Sequence, residues 1–257
     1  MMELIPILLP AFVAGLLVLS THIPLGYQVL KRGIIFIDLA IAQVAALGIV
    51  MAHQFHFEGL FTGAEYIVSG VFAVAAGTLL ALLEKRVHHE LEAVIGCCYV
   101  LAATAGLLVL AHDPHGGELL KQTLSGSILW VTWDTLLWHG LVVSAVLLTM
   151  LLKPNVLKGV WFYALFAIAI TSAVELVGVY LVFASLIMVP LATQAMKAGS
   201  KRLFTAYGLS ALAYALGLTA SAYWDLPSGA TLVWCLALIA LCAVLGGLTQ
   251  PAKDKPA

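Results

Sequence analysis

About nine long apolar runs, separated by short stretches that hold most of the charge, leave this chain few ways to fold. Of its 257 residues, 63% are apolar and 10% charged, and the mean hydropathy is +1.07. Soluble domains carry about 25% charged residues. A chain this poor in charge cannot cover a water-facing surface, so its outer surface must be lipid. Apolar stretches of about 17 to 25 residues read as membrane-crossing helices. They fall at 4–30, 33–52, 66–84, 91–111, 134–152, 160–174, 175–194, 203–221 and 229–248. The expected fold is therefore all-α, a polytopic transmembrane helix bundle of about nine spans, with eight to ten as the range. One transmembrane domain covers 1–250 and a short tail covers 251–257. The run from Val160 to Met196 has no polar loop, and is too long for one span and barely long enough for two.

The basic residues orient the bundle. With alternating spans, Lys31, Arg32, Lys85, Arg86, Lys153, Lys158, Lys197, Lys201, Arg202, Lys253 and Lys255 share one side, and only Lys121 falls opposite. The positive-inside rule makes the first side cytoplasmic. The N-terminus is then outside and the C-terminal tail inside, and the split favours an odd number of crossings. The start from Leu4 to Leu19 lacks a basic flank and reads as the first span rather than a cleaved leader.

Several functions are excluded or disfavoured. A net charge of −1 provides no basic stripe for nucleic acid. No GxxxxGK[ST] phosphate loop and no GxSxG nucleophile elbow is present, so no enzyme is expected, and any ATP must bind another polypeptide. Cys97, Cys98, Cys235 and Cys242 lie in apolar runs without zinc-type spacing and read as small hydrophobic residues.

Imidazoles and carboxylates concentrate on the outer side: His53, His56, Glu58, Glu65, His112, Asp113, His115, Glu118 and Asp225. These groups ligate divalent first-row metals, and an acidic, histidine-bearing mouth concentrates cations; loops are also simply polar. Within the apolar runs, ionisable residues are functional candidates by default. Glu175 lies near the break in the long run, where transporters build sites, or else in a tight outer turn. Asp38 reads either as a pathway carboxylate or as the partner of a basic residue at the cytoplasmic edge. His139 either extends the outer histidine cluster inward or is a satisfied interfacial histidine. Gln43 and His22 read as packing residues, and His88 and His89 as a solvated loop. Small residues at Ala40, Ala42, Ala45, Ala46 and Gly48, and at Ala102, Ala103, Ala105 and Gly106, would let helices approach closely.

Five collinear segments carry a resemblance. They are LGYQVLKRGIIFIDLAIAQVAALG at 25–48, ELEAVIG at 90–96 with AATAGLLVL after it, PHGGE at 114–118 with GSILWVTW at 126–133, VELVGVYLVFASLIMVPLAT at 174–193, and DLPSGAT at 225–231. In this order they resemble the permease subunits of zinc/manganese/iron-type ATP-binding-cassette importers, the ABC-3 family. The resemblance implies the membrane subunit of a divalent-metal importer in a bacterial inner membrane. It also implies a homodimer, a cytoplasmic ATP-binding subunit, and a periplasmic or lipid-anchored protein that delivers the metal. No permanent cofactor is implied; the metal is cargo, with zinc first and manganese and iron(II) next. Metal ligands are expected among Glu175, Asp38, His53, His56, His112, Asp113, His115, Glu118 and His139.

Two departures stand out. The family often places an acidic residue and a histidine one helical turn apart on the second span, whereas here Asp38 is followed by Ala42 and Gln43. The family's longer cytoplasmic stretch between the fifth and sixth spans is reduced to KPNVLKG at 153–159. That short connection motivates a rival reading: an ATP-independent metal carrier, or a membrane metal sensor or assembly factor with the same fold.

Overall fold

The computed structural model describes residues 5–57, 63–84, 86–87, 90–126, 128–159, 161–247 and 249. Glu58, Lys85, His88, His89, and the tail 251–257 with Lys253 and Lys255, lie outside the described residues. Ten α-helices follow in order: α1 Ile5–Arg32, α2 Ile37–Gln54, α3 Ala64–Glu84, α4 Leu91–Val109, α5 Gly116–Ser125, α6 Trp133–Leu152, α7 Trp161–Val177, α8 Val179–Thr193, α9 Ser200–Trp224 and α10 Ser228–Leu245. The described residues contain no strand. In lipid, helices satisfy their backbone groups internally, which is why apolar runs become helices so directly.

Seven of these helices, all but α5, α7 and α8, are long and apolar enough to cross a membrane singly. The remaining apolar run forms the pair α7 and α8, bent by 119° at Gly178. Side-chain contacts show where the ends of this pair lie. At the start of α7, the rings of Phe162 and Tyr163 lie 4.2 and 5.8 Å from Arg32, the last residue of α1. At its end, Val177 and Gly178 abut Gly126, just past α5. From there α8 returns, and Thr193 Oγ1 lies 2.6 Å from the hydroxyl of Tyr27, back near the C-terminal end of α1. The pair therefore traverses the bundle and comes back. By length and apolarity the described residues hold seven spanning helices, or eight if the bent pair is one span, against the approximate nine; the break falls at Gly178 rather than between 174 and 175.

Both helices of the pair are sheathed by others. Phe162, Tyr163, Phe166 and Ile170 of α7, and Leu181, Val182, Ala184 and Leu186 of α8, are all fully buried. Their run is apolar on most sides because much of it forms the core, while Ile168, Tyr180 and Leu191 stay exposed. By contrast, α4 and α6 present Leu101, Leu107, Leu108, Leu137, Leu141 and Leu151 outward, as lipid-facing helices do.

Close packing uses small residues as expected on α2, where Ala40, Ala42, Ala45 and Ala46 are buried. A Cβ at Gly48 would lie 2.8 Å from Ser69 Cα on α3. The Ala102–Gly106 stretch differs: a Cβ at Gly106 would meet nothing within 4 Å in this chain.

Two arginines tie the basic end together. Arg32 donates to the Leu157 carbonyl at 2.8 Å and pairs with Glu84 at 3.6 Å. Arg202, near the start of α9, lies 4.1 Å over the Tyr27 ring. The opposite end holds α5, a ten-residue helix that the apolar-run reading does not anticipate, being too short to span. Its Leu119, Leu120 and Leu124 at helical spacing are the available signal.

Candidate functional site

Three helices line one mostly apolar pocket that opens at the surface of the bundle, where Ile67, Trp138 and Ile168 are exposed and a few polar groups gather. Tyr66 and Gly70 come from α3, His139 from α6, and Thr171, Ser172 and Glu175 from α7. The pocket encloses about 150 Å³, room for several waters. On α7 the polar residues stand at i, i+1 and i+4, so a single stripe of an otherwise apolar helix faces the cavity. Tyr66 comes from the first turn of α3 and His139 from the second turn of α6, and both helices start at the histidine-bearing end.

His139 is 2% exposed. Its Nδ1 lies 2.8 Å from Ser172 Oγ, and its Nε2 lies 3.9 Å from Glu175 Oε2. The Tyr66 ring meets the imidazole edge-on, with centroids 6.3 Å apart. The Glu175 side chain is 5% exposed, so it is no solvated turn residue. Glu65, one residue before Tyr66, acts electrostatically on Glu175 from the first turn of α3. Ser172 and Tyr66 are absent from the sequence-based candidates; the spacing of Ser172 three residues before Glu175 was the clue to the first.

Asp38 stands apart from this pocket. It is fully buried in the first turn of α2, and neither carboxylate oxygen has a hydrogen-bond partner among the described residues. Among the described residues no basic side chain pairs with Asp38, and Arg32, six residues before it, is engaged by Glu84, Leu157 and Phe162; Lys85 lies outside the described residues. Glu92 of α4 accepts the Phe36 N–H at 3.2 Å, two residues before Asp38. His22 is buried with Nδ1 2.9 Å from the Val18 carbonyl, and Gln43 is buried on α2, both as packing residues are expected to be.

At the histidine-bearing end, His53 Nδ1 lies 3.9 Å from Asp113 Oδ2. Asp113 Oδ1 also accepts the N–H of His115 at 2.8 Å. His56, His112, His115 and Glu118 are exposed. Among the described residues, no three His, Cys, Asp or Glu side chains gather as one metal-holding group. The outer face thus offers dispersed ligands, and the intramembrane pocket offers two adjacent ones. The four cysteines are free thiols.

A multi-pass helical membrane protein with a paired imidazole and carboxylate in its interior belongs to the class of solute-translocating bundles. The sequence model of the ABC 3 transport family matches residues 4–160 and 149–247, and the chain belongs to that family. It is 24% identical over 255 residues to the high-affinity zinc uptake system membrane protein ZnuB of Haemophilus influenzae, covering 91% of this chain and 95% of that one. ZnuB of Buchnera aphidicola is likewise 24% identical, over 257 residues, covering 91% and 95%. Among solved structures, PsaBC from Streptococcus pneumoniae in complex with Fab shares the fold, with a TM-score of 0.71 and 20% identity. That match covers 93% of this chain and 89% of the other.

Proposed function

We propose that this chain is the membrane-spanning permease subunit of an ATP-binding-cassette importer for a divalent transition metal, zinc first, with manganese and iron(II) next. The observation that carries this reading is the family match across nearly the whole chain, joined by relatives of nearly equal length that are named for zinc uptake. Imidazole and carboxylate suit zinc and its neighbours, and ligand type alone separates these metals poorly. The chain contributes the pathway and its alternating access. A cytoplasmic ATP-binding subunit powers it, a second copy completes the membrane unit, and a periplasmic or lipid-anchored protein delivers the ion.

The outer mouth with His53, His56, His112, Asp113, His115 and Glu118 receives the ion in this scheme, and Glu175, His139 and Asp38 stand along its route. The return of α8 to the end where α1 finishes supports an N-terminus outside and the tail in the cytoplasm of a bacterial inner membrane. The short 153–159 connection, its Leu157 carbonyl bonded to Arg32, favours as second reading a carrier or metal sensor without an ATPase.

Two measurements separate these readings. Tagged chain purified in mild detergent should bring down an ATP-binding subunit, and zinc uptake by cells should stop when ATP is depleted. Uptake that persists without ATP, with no ATPase in the purified sample, overturns the importer reading and leaves the carrier. Uptake should also fall at least tenfold in Glu175→Ala and in Asp38→Ala. Normal uptake by both well-expressed variants would remove these residues from the pathway.

A further inference from the structure

We propose that His139 and Glu175 are the two protein ligands of a single, transiently held divalent cation on the outer half of the pathway. This deepens the permease reading by assigning its ion station, but the site stands or falls on binding alone.

The separation of 3.9 Å between Nε2 and Oε2 is too long for a hydrogen bond. It matches two atoms sharing one ion. With metal–nitrogen and metal–oxygen bonds of about 2.1 Å, the two ligand atoms can stand no more than about 4.2 Å apart, and about 3.4 Å apart at a tetrahedral angle. A few tenths of an ångström of closure therefore reaches coordination distance. The imidazole is already oriented for it. Its Nδ1 is occupied by Ser172 Oγ at 2.8 Å, and when that nitrogen carries the proton, Nε2 presents its lone pair toward Glu175. A partner on the far nitrogen is the usual arrangement behind a metal-bound histidine. Both side chains are almost fully buried, yet they line a cavity of about 150 Å³, so the ion can keep water in its open positions.

A site with two protein ligands and water in its remaining positions binds weakly enough to release its ion onward, as conduction requires. The ligand class is a borderline divalent cation that accepts mixed nitrogen and oxygen donors, such as zinc, cobalt(II) or manganese.

The test uses the purified full chain in detergent, with zinc alone as probe and no ATPase or nucleotide present. Bound zinc per chain is measured at equilibrium for the natural sequence, Glu175→Gln, His139→Asn and the double variant. The dispersed outer histidines contribute their own binding, so the readout is the difference. Each single variant should lose one ion per chain relative to the natural sequence, and the double variant no more than one, because both residues serve the same ion. Glu175→Gln keeps the shape of the side chain, and Ser172→Ala, which leaves both ligands in place, reports whether orienting His139 matters. Full zinc occupancy in Glu175→Gln, or a loss of two ions in the double variant, overturns the proposal. Zinc binding that behaves as expected while uptake proves independent of ATP overturns the importer reading and leaves this site intact.

Discussion

Gly126 and Gly178 pack backbone against backbone where α5 meets the α7–α8 turn, and each has a positive φ, +70° and +81°. A Cβ on either would overlap the main chain of the other segment. The turn that sends α8 back through the bundle therefore depends on two residues without side chains, 52 positions apart in sequence (178 − 126 = 52).

Gly178→Ala should destabilise the chain by about 2–6 kcal/mol, since strained backbone costs ~1–3 kcal/mol and forced overpacking adds ~1–3 kcal/mol. Thermal unfolding in detergent measures this. Gly208→Ala is the control, because a Cβ there meets nothing within 4 Å, and it should unfold at the temperature of the natural sequence or slightly above. Equal stability of the two variants would contradict the tight turn.

Ser172→Ala should lower zinc uptake by about 10-fold while leaving expression and melting temperature nearly unchanged. A hydroxyl that only orients a ligand costs ~10–100-fold in affinity or activity when removed. If Ser172 were only a packing residue, uptake would not move, and that result would show that the 2.8 Å contact with His139 has no part in transport.

Arg32→Lys should behave like Arg32→Ala, losing about 1–2 kcal/mol of stability. The guanidinium serves a carbonyl, a carboxylate and an aromatic face at once, which an ammonium cannot copy. Its partial exposure limits the ionic share, and the cation–π contact accounts for ~1 kcal/mol. Full rescue by lysine would mean that only the charge matters.

Asp38→Asn should unfold at the same temperature as the natural sequence or higher, and yet transport poorly. A buried carboxyl without hydrogen-bond partners contributes nothing to stability and carries a desolvation cost of several kcal/mol when charged. A variant that is less stable and still transports would place Asp38 in the structural framework instead.

Cysteine introduced at Lys121 should react with a membrane-impermeant thiol reagent added outside intact cells, in a background lacking the four natural cysteines. Cysteine at Lys201 should react only after the membrane is opened. The reverse pattern would invert the proposed orientation.

Much was legible in the chain before any packing was known. The helices and the polarity of the two ends followed from apolar length and the placement of lysine and arginine, because lipid forces each span to satisfy its own backbone and charge to collect at the ends. Glu175 and Asp38 were visible as ionisable residues in apolar runs. Tertiary structure decided the rest. Whether 160–196 crosses once or twice depended on a turn without polar residues, made possible by the contact between Gly126 and Gly178. Whether Glu175 was solvated, and that His139 and Ser172 join it, depended on α6 lying against α7, since local sequence does not encode distances between residues 33 and 36 positions apart. That Arg32 is captured by Glu84, Leu157 and Phe162 rather than by Asp38 also depended on how the helices pack. Composition and periodicity determine what a segment must avoid, whereas a site arises where segments distant in sequence bring complementary groups together.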